Sequence, residues 1–444
     1  MQLRHLLPAA TALPLLIATA PAAAAPIAPG KVIVRYVPGA TRAEKIAVLH
    51  ATGTATSAML PGGTRALSVA DGDSVAGTLA ELRRHPTVAS AVPDYVAHAA
   101  EFVPNDPGKT TVPGGWQQLQ WNFIGPASVN APAAWSIART DGAPGGRGVI
   151  VAVIDSGVAF ENYKQFRRAP DLYASRFVPG YDWIDRDRHP DDEESHGTHV
   201  TGTIAQKTNN AFGLTGLAYG VEIMPLRVLD SNGNGDGSNI ARAIRWAVRH
   251  GARVINMSVE FDTSLKAGDI PEVISAIHYA HTKGAVMVAA SGNEGVGKIA
   301  YPARDSDVIS VGATTADACL ADYSNAGRGL DIVAPGGGAD APLSADPYDS
   351  AHCDPTRPDR RIYQETIWGS PRHFRLVGFE GTSFATPHVS AAAALLLATK
   401  RLGAHPTPAA VKARLMATAR DLGPPGYDSH YGAGLLDIAA ALGP

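Results

Sequence analysis

The sequence has little charge, only two cysteines and, after its first residues, no long apolar run. Charged residues make up 18% of the chain and the net charge is −3, so neither nucleic acid nor an anionic membrane is indicated as a partner. Basic runs are short pairs, no stretch after the amino terminus approaches the length of a membrane span, and no internal repeat is evident. Hydrophobic residues make up 45%, which is typical of a globular protein with a full core.

The first 25 residues differ from the rest of the chain. Arg4 and His5 precede an apolar stretch at 6–20, and four alanines follow at 22–25. This order is the signature of a cleaved secretory signal. A buried helix is the alternative, which the absence of polar residues on any face disfavours. We therefore expect residues 1–25 to be a signal peptide and the mature protein to be secreted, either extracellular or periplasmic.

The two cysteines are Cys319 and Cys353. In an oxidising compartment an even pair most simply indicates one disulfide, with two buried free thiols as the alternative. Both lie in a stretch rich in glycine, proline and aspartate, where tying down a long loop would stabilise the fold most.

Residues before about 100 show a small α+β pattern. Strand-like and helical runs alternate at 31–36 (strand), 41–52 (helix), 66–70 (strand), 74–84 (helix) and 88–98 (strand). The order is close to βαββαβ, with one strand not resolved. A link rich in proline, glycine and aspartate at 103–115 then predicts a domain boundary.

From about residue 148 short apolar runs are separated by helical ones. The β-branched runs lie at 149–154, 253–257, 285–290 and 308–311, and the helical runs at 199–206, 240–250, 272–283 and 389–400. Strands that are apolar throughout predict a parallel sheet covered on both faces. The predicted fold is α/β, with a mostly parallel central sheet, helices on both faces and a small α+β domain before it. Active groups in such folds gather at the carboxyl ends of the strands.

Four polar residues stand at such positions, namely Asp155, His196, Asn293 and Ser383. Ser383 by itself is more simply explained as a helix cap. Acyl transfer, however, needs a serine nucleophile, an imidazole base, a carboxylate that orients the imidazole, and donors for the oxyanion. The backbone N–H of Ser383 at a helix start and a side-chain amide such as that of Asn293 would supply these donors.

The motifs that carry these residues are Asp155-Ser-Gly, His196-Gly-Thr-His-Val, Ser291-Gly-Asn293 and Gly381-Thr-Ser383-Phe-Ala-Thr-Pro-His, followed by Tyr431-Gly-Ala-Gly-Leu-Leu-Asp437. In this order they resemble the signatures of the subtilisin-like serine endopeptidases, in particular the thermitase-like branch, over about residues 106–442. The resemblance implies an enzyme without a catalytic cofactor. It also implies roles for the four residues: Asp155 as orienting group, His196 as general base and acid, Ser383 as nucleophile and Asn293 as oxyanion donor.

Other interpretations stay open at this point. Asp155 alone would more often be a turn former. His196 and His199 are spaced to ligate a metal, but a third ligand of the expected kind is not nearby, which disfavours a metal hydrolase. We expect His199 and His388 to be packed helix residues. A catalytically silent homologue that acts as a binding protein is disfavoured, because all four positions hold the needed residue types.

The amino-terminal α+β unit resembles the inhibitory propeptide of the same family. The resemblance implies a self-processing zymogen, in which residues 26–104 assist folding and inhibit the catalytic domain at 105–444. The cut is expected between about residues 98 and 105, and an unrelated, retained domain is the alternative. Peptide substrates and the propeptide are the expected partners. No segment suggests obligate assembly, so we expect a monomer.

Two regions resemble structural calcium sites of the family. Calcium takes six or more oxygen ligands, so carboxylates together with backbone carbonyls are the expected pattern. In the first region the resemblance implies that the ligands are the side chains of Asp106, Asp171 and Asn210 and the backbone carbonyls of Thr208, Phe212 and Leu214. The second region is the acidic run that holds Asp182, Asp185, Asp187 and Asp191, for which a solvated loop is an almost equal alternative. Calcium in either region would stabilise the fold and take no part in catalysis.

The substrate cleft departs in part from the family pattern. The residues expected to line it are Gly233, Gly235, Ser258, Glu260, Ala290, Gly292 and Ala300. The first two resemble an edge that holds the peptide as an added strand, whereas Glu260 and Phe261 stand where glycines are usual. The small Ala300 at the floor of the main pocket suits a large apolar side chain, and we favour broad specificity with an apolar preference. Glu260 and Glu294 could instead attract lysine or arginine.

Overall fold

The computed structural model describes residues 27–70, 72–95, 102–343 and 347–443. The chain divides into two units, Met1–Ala100 and Glu101–Pro444, each with its own hydrophobic core. The predicted signal peptide lies outside the described residues, as does the first part of the expected cut region. None of the described helices is both long enough and apolar enough to cross a membrane.

The first unit is an antiparallel sheet with two helices. Its elements are β1 (Ile27–Tyr36), α1 (Arg42–Ala51), β2 (Ala55–Met59), β3 (Thr64–Ser68), α2 (Val75–Leu82) and β4 (Val88–Tyr95). The strands pair in the order β2-β3-β1-β4. The βαββαβ order is confirmed, and the strand that the sequence pattern did not resolve is β2. Every residue of β2 is exposed, so it lacks the apolar alternation by which a half-buried strand is recognised.

The second unit is built on a parallel sheet. Its strands are β5 (Ile150–Asp155), β6 (Arg176–Phe177), β7 (Tyr181–Asp182), β8 (Glu222–Arg227), β9 (Val254–Met257), β10 (Val286–Ala290), β11 (Val308–Thr314), β12 (Ile332–Pro335), β13 (Ile362–Ile367) and β14 (Phe374–Phe379). The order is β12-β11-β10-β9-β5-β8-β6, with β7 also on β8, and every pair in this sheet is parallel. Strands β13 and β14 form a separate antiparallel hairpin.

Eight helices accompany these strands in the part of the second unit that the structure describes. They are α3 (Ala131–Thr140), α4 (His196–Ala205), α5 (Gly237–Arg249), α6 (Pro271–Thr282), α7 (Pro347–His352), α8 (Thr382–Thr399), α9 (Pro408–Ala417) and α10 (Ile438–Leu442). Short turns of 3-10 helix lie at Pro61–Gly63 in the first unit and, in the second unit, at Gly115–Gln118, Pro144–Gly146, Pro170–Leu172 and Ala267–Asp269.

Strand β5 separates two hydrophobic cores. Val151 and Val153 belong to the core that contains α3, α4 and α8, whereas Ala152 and Ile154 belong to the core that contains α5 and α6. Successive residues of a strand point to opposite faces, so a strand covered on both sides is apolar throughout. The predicted fold class, an α/β sheet with helices on both faces, is confirmed.

Helix α8 lies in the first of these cores along most of its length. Every residue from 384 to 397 is buried. Two of its buried polar side chains have partners: Ser390 Oγ donates to Asn256 Oδ1 at 2.8 Å, and Asn122 Nδ2 donates to His388 Nε2 at 2.8 Å. Burial lowers the pKa of His388 to about 4, so its ring is neutral. His388 is therefore a packed helix residue, as expected.

The hairpin β13–β14 packs against α4. His199 Nε2 donates to the carbonyls of Ile362 and Val377, one on each strand, at 3.0 and 3.1 Å. Burial lowers the pKa of His199 to about 3, so this histidine is also a neutral packing residue, as expected. A disulfide joins Cys319 to Cys353 with a Cα–Cα distance of 5.8 Å, which confirms the predicted pairing. It ties the region of α7 to the loop after β11.

Candidate active site

The carboxyl-terminal edge of the parallel sheet holds the four predicted catalytic residues. Asp155 is the last residue of β5, His196 is the first residue of α4, Asn293 follows β10, and Ser383 is the second residue of α8. His196 Nδ1 donates to Asp155 Oδ1 at 2.7 Å. The Asp155 side chain is fully buried, and that of His196 is 22% exposed. The chemistry-bearing groups thus lie where the strands of an open α/β sheet end.

A second buried aspartate, Asp192, holds the start of α4 against β5. Ser156 Oγ donates to Asp192 Oδ1 at 2.9 Å and accepts the N–H of Gly197 at 2.9 Å. Gly197 has no room for a side chain, because a Cβ there would lie 2.1 Å from the carbonyl oxygen of Gly157. This close approach of strand and helix sets the position of the His196 ring.

His196 is surrounded by carboxylates. Burial opposes a charge on its ring, but the charge and hydrogen bond of Asp155, followed by the charges of Glu194 and Asp192, outweigh burial and raise its pKa to about 9. Glu194 Oε2 also accepts the backbone N–H of His196 at 2.7 Å. The neutral ring, which is the form able to accept a proton, therefore becomes dominant only at alkaline pH.

The hydroxyl of Ser383 lies at the start of α8. It donates to the carbonyl of Ser258 at 3.2 Å, and Ser258 Oγ donates in return to the carbonyl of Ser383 at 2.7 Å. Asn256 Nδ2 donates to Ser258 Oγ at 3.0 Å, which connects the start of α8 to β9. Ser383 and His196 line one cavity of about 310 Å³. The hydroxyl thus shares a cleft with the imidazole, at the positive end of the α8 dipole.

Thr382 fixes the orientation of the Asn293 amide. Asn293 Oδ1 accepts the backbone N–H and the hydroxyl of Thr382 at 2.8 and 3.0 Å. Nδ2 is left to donate elsewhere, and it donates to Glu260 Oε1 at 3.4 Å. Burial raises the pKa of Glu260, and the nearby carboxylate of Glu294 raises it further. Nδ2 of Asn293, the predicted oxyanion donor, is therefore hydrogen-bonded to the Glu260 carboxylate in this structure.

The cavity has an apolar part and an acidic part. Four of the predicted cleft residues line it, namely Gly233, Gly235, Ser258 and Glu260. The other three, Ala290, Gly292 and Ala300, are buried and lie outside its lining. Leu229, Ile240, Val259 and Phe261 supply the apolar surface, and Glu194 supplies a second carboxylate.

The first predicted calcium region brings two buried carboxylates to one loop. Asp106 accepts the backbone N–H groups of Asn209 and Asn210 at 2.7 and 2.9 Å. Asp171 Oδ1 accepts Asn210 Nδ2 at 2.8 Å, and burial raises the pKa of Asp171 to about 8. The predicted carbonyl ligands belong to the same loop and are Thr208, Phe212 and Leu214. This set of oxygen donors fits a bound calcium ion.

In the second acidic region, two carboxylates already have a cation. Arg227 Nη1 donates to Asp182 Oδ2 at 3.0 Å and to Asp185 Oδ2 at 3.1 Å. The Arg227 guanidinium is buried and also pairs with Glu193 at 2.6 Å. Asp182 and Asp185 therefore have less need of a metal ion than their sequence suggests, and their role as ligands stays a prediction.

Asp191, in contrast, is a buried carboxylate without a cation. Among the described residues neither of its side-chain oxygens has a hydrogen-bond partner. Burial, followed by the charges of Glu161 and Asp187, raises its pKa to about 8. An orphaned carboxylate beside two others fits a hard cation bound at Asp187, Asp191 and Glu161. Glu161 was not predicted, because it lies far from the acidic run in the sequence.

Sequence reasoning also missed three side chains at the catalytic edge, namely Asp192, Glu194 and Thr382. The acidic run before α4 did carry a signal for the first two, because carboxylates are favoured at helix N-termini. Thr382 carried no separate signal, since its contact with Asn293 joins distant parts of the chain.

The chain is similar to known serine proteases in sequence and in structure. The Subtilase family model matches residues 146–434. The thermophilic serine proteinase of Bacillus sp. (strain AK1) is 34% identical over 375 residues, which cover 84% of this chain and 79% of that protein. Subtilisin E of Bacillus subtilis (strain 168) is 33% identical over 369 residues, covering 81% and 77%. A solved structure of proteases from Pseudoalteromonas arctica PAMC 21717 is 28% identical, covers 77% of this chain and 99% of its own, and has a TM-score of 0.60.

Replacing Glu194 by glutamine should lower the pKa of His196. Glu194→Gln removes a negative charge that favours the imidazolium, so the ring should lose its proton about one pH unit lower than in the wild type. Titration of the His196 ring by NMR measures this shift directly. The pH of half-maximal peptide hydrolysis should fall by the same amount.

Glu193→Gln is the matched control, because Glu193 is the neighbouring residue but pairs with Arg227. Equal shifts of the His196 pKa in the two variants would show that the overall negative charge of the region, and not Glu194 in particular, acts on the ring. An unchanged pKa in Glu194→Gln would also contradict the assignment.

Proposed function

The chain belongs to the subtilase family of serine proteases, and from this premise we propose that it is a secreted endopeptidase acting through Asp155, His196 and Ser383. The observation that carries the proposal is the 2.7 Å hydrogen bond from His196 Nδ1 to the buried Asp155. It is supported by the cavity that His196 shares with Ser383. The family implies peptide substrates and no catalytic cofactor.

In the proposed reaction His196 acts first as a base and then as an acid. Ser383 Oγ leaves the carbonyl of Ser258, gives its proton to His196 Nε2 and bonds to the carbonyl carbon of the peptide. When the tetrahedral intermediate collapses, the peptide C–N bond breaks and the leaving amine takes the proton from Nε2. A water molecule then attacks the acyl-enzyme in the same way, which releases the carboxylic acid and restores Ser383.

Two donors face the oxyanion in this mechanism, namely the backbone N–H of Ser383 and Nδ2 of Asn293. The amide of Asn293 is already oriented by Thr382, so it needs little reorganisation as the charge develops. Loss of one such donor costs about 3–4 kcal/mol of transition-state stabilisation. Nδ2 must first leave Glu260, whose carboxylate would otherwise repel the oxyanion.

We further propose that the protein is made as a zymogen and works as a monomer. The βαββαβ unit, which forms its own core and ends by Ala100, supports the proposal that residues 26–104 are an inhibitory propeptide. The proposed cut lies between about residues 98 and 105. The protein would make this cut with its own Ser383, so a chain without the Ser383 hydroxyl should remain uncut.

We propose that calcium stabilises the catalytic domain at two places. Asp106, Asp171 and Asn210 would hold one ion with the loop carbonyls, and Asp187, Asp191 and Glu161 would hold the other. At the first place burial raises the pKa of Asp171 to about 8. At the second place burial and the charges of Glu161 and Asp187 raise the pKa of Asp191 to about 8. A divalent ion would relieve their repulsion and hold two distant parts of the chain together.

The carboxylates of Glu260, which lines the cleft, and of the nearby Glu294 favour a basic side chain next to the cleaved bond. A Cβ built on Gly292 would lie 2.9 Å from Glu260 Oε2 and 2.9 Å from Glu294 Oε2, so the two carboxylates meet there. A lysine or arginine would relieve their repulsion and draw Glu260 away from Asn293 Nδ2. We therefore propose the basic preference over the apolar one favoured by Ala300. The apolar side of the cavity would take a more distant substrate residue.

The protein should react with a serine-directed fluorophosphonate at Ser383. We expect the wild type to take one label and digest casein, and Ser383→Ala to take none, to lose activity by at least about 1,000-fold and to keep its full length. Ser264→Ala, at an exposed serine, is the control and should behave like the wild type. A wild type that neither labels nor digests would refute the protease proposal, and inhibition by a zinc chelator alone would support a metal hydrolase.

Removing calcium should lower the melting temperature. In the Ser383→Ala background, which prevents self-digestion, excess chelator should reduce it by about 5 °C or more if the ion is at 100 times its Kd. In Asp191→Asn the chelator should lower the melting temperature by less, because one site is already lost. In Asp185→Asn, at a residue of the same region that is paired with Arg227, the chelator should lower it as much as in the parent. An unchanged melting temperature in chelator would count against both sites.

Glu260 should decide the preference for basic residues. With peptides that differ only by lysine or norleucine before the cleaved bond, the wild type should prefer lysine in kcat/KM. Glu260→Gln should reduce this preference by about 10-fold, because it removes one partner of the charge pair. Glu222→Gln, at the opposite end of the sheet, is the control. A preference for norleucine in the wild type would restore the apolar alternative.

A further inference from the structure

A cluster of two histidines and two aspartates lies at the sheet edge opposite to the active site. His278 and His281 are on α6, and Asp305 and Asp307 are in the turn just before β11. The catalytic residues follow the carboxyl ends of β5 and β10, whereas this turn precedes the amino end of β11. The cluster therefore belongs to neither the cleft nor the two proposed calcium sites.

The separations within the cluster are those of metal ligands and not those of hydrogen bonds. His278 Nε2 lies 3.4 Å from Asp305 Oδ2 and 3.9 Å from Asp307 Oδ2, and His281 Nδ1 lies 3.4 Å from Asp307 Oδ1. Ligand atoms about 2.1 Å from a tetrahedral ion are about 3.4 Å apart. The imidazole–carboxylate hydrogen bonds elsewhere in this protein are much shorter, at 2.7 Å for His196 and 2.8 Å for His189.

The Asp305 carboxylate is oriented before any ion binds, and the other ligand atoms lie near it. Asp305 Oδ1 accepts the N–H of Asp307 at 3.0 Å, which leaves Oδ2 directed at His278. His278 and His281 are three residues apart on a helix, so they lie on the same side of α6. The ligand atoms of His278, Asp305 and Asp307 all lie within 4.8 Å of one another.

The neighbouring cations are engaged elsewhere. Arg304 donates to the carbonyls of Ile299, Leu265 and Thr263. Lys412 pairs with Asp331 at 2.7 Å. Within the described residues, the ion-pair partners of Asp305 and Asp307 are the two histidines alone. Two carboxylates facing imidazole nitrogens, with no lysine or arginine paired to them, form a charge arrangement that a divalent ion would balance.

We propose that His278, Asp305 and Asp307 bind one late first-row divalent ion, best matched by zinc. Imidazole and carboxylate ligands suit zinc, whereas calcium takes oxygen ligands. The fourth position is open to solvent, since the His278 side chain is 56% exposed. His281 Nδ1 lies 3.4 Å from the other oxygen of Asp307 and would orient that carboxylate from outside when the ion is bound. The ion joins α6 to the edge of the sheet and acts on stability, independently of peptide hydrolysis.

Zinc binding to the full-length Ser383→Ala protein tests this proposal. The protein is purified without a histidine tag, saturated with calcium and titrated with Zn²⁺ by calorimetry. We expect one zinc equivalent that His278→Gln and Asp305→Asn each weaken by at least about 10-fold, and His281→Gln by about 10-fold. His405→Gln, at an exposed histidine on another loop, is the matched control and should bind like the parent. Co²⁺ bound in place of zinc should show the visible absorption of a four-coordinate ion.

The readouts involve no proteolysis, so failure of the zinc site and failure of the protease proposal are distinguishable. Melting temperatures without zinc should be equal in the parent and the variants, which shows that the variants fold. Absence of zinc binding in the parent would overturn the proposal. Equal loss in His278→Gln and His405→Gln, or unchanged affinity in both His278→Gln and Asp305→Asn, would do the same.

Discussion

Helix α8 has no exposed face over most of its length, because its residues from 384 to 397 are all buried between the sheet and the neighbouring helices. Moving its first turn would cost about 25 cal/mol for each Å² of apolar surface exposed, and would break the hydrogen bond from Ser258 Oγ to the carbonyl of Ser383. The proposed nucleophile, Ser383, is therefore positioned by the core of the domain, and not by a loop. Such rigidity matters, because a displacement of 1 Å can cost about 100-fold in rate.

The catalytic edge carries an excess of negative charge, and this excess shapes the chemistry. Asp155, Asp192 and Glu194 together raise the pKa of His196, which favours work at alkaline pH. Glu260 accepts a hydrogen bond from the amide of Asn293, the proposed oxyanion donor, so a cation from the substrate would both bind there and free that amide. In the proposed mechanism, charge in the cleft would thus connect substrate preference with the rate of the chemical step.

The two edges of the parallel sheet serve different purposes. Groups that must move protons lie at the carboxyl ends of the strands, where β5, α4 and α8 converge on one cleft. The proposed zinc ligands lie at the amino end of β11, where an ion can tie α6 to the sheet without altering the cleft. The proposed calcium sites tie distant loops together in the same way. Burial disfavours the charged form of a carboxylate, and each ion would offset the repulsion between neighbouring carboxylates.

The sequence by itself determined the α/β class and the motifs around Asp155, His196 and Ser383, and it indicated a disulfide that the structure then showed. These signals are local, since a buried strand or the start of a helix can be recognised from the pattern of neighbouring residues. Only the tertiary structure decided the contacts between residues far apart in the chain: Thr382 with Asn293, Glu161 beside Asp191, Arg227 with Asp182, and His278 with Asp305. It also revealed β2, whose exposed residues lack a pattern. Pairing and burial depend on packing in three dimensions, and packing sets the charge and pKa of each group.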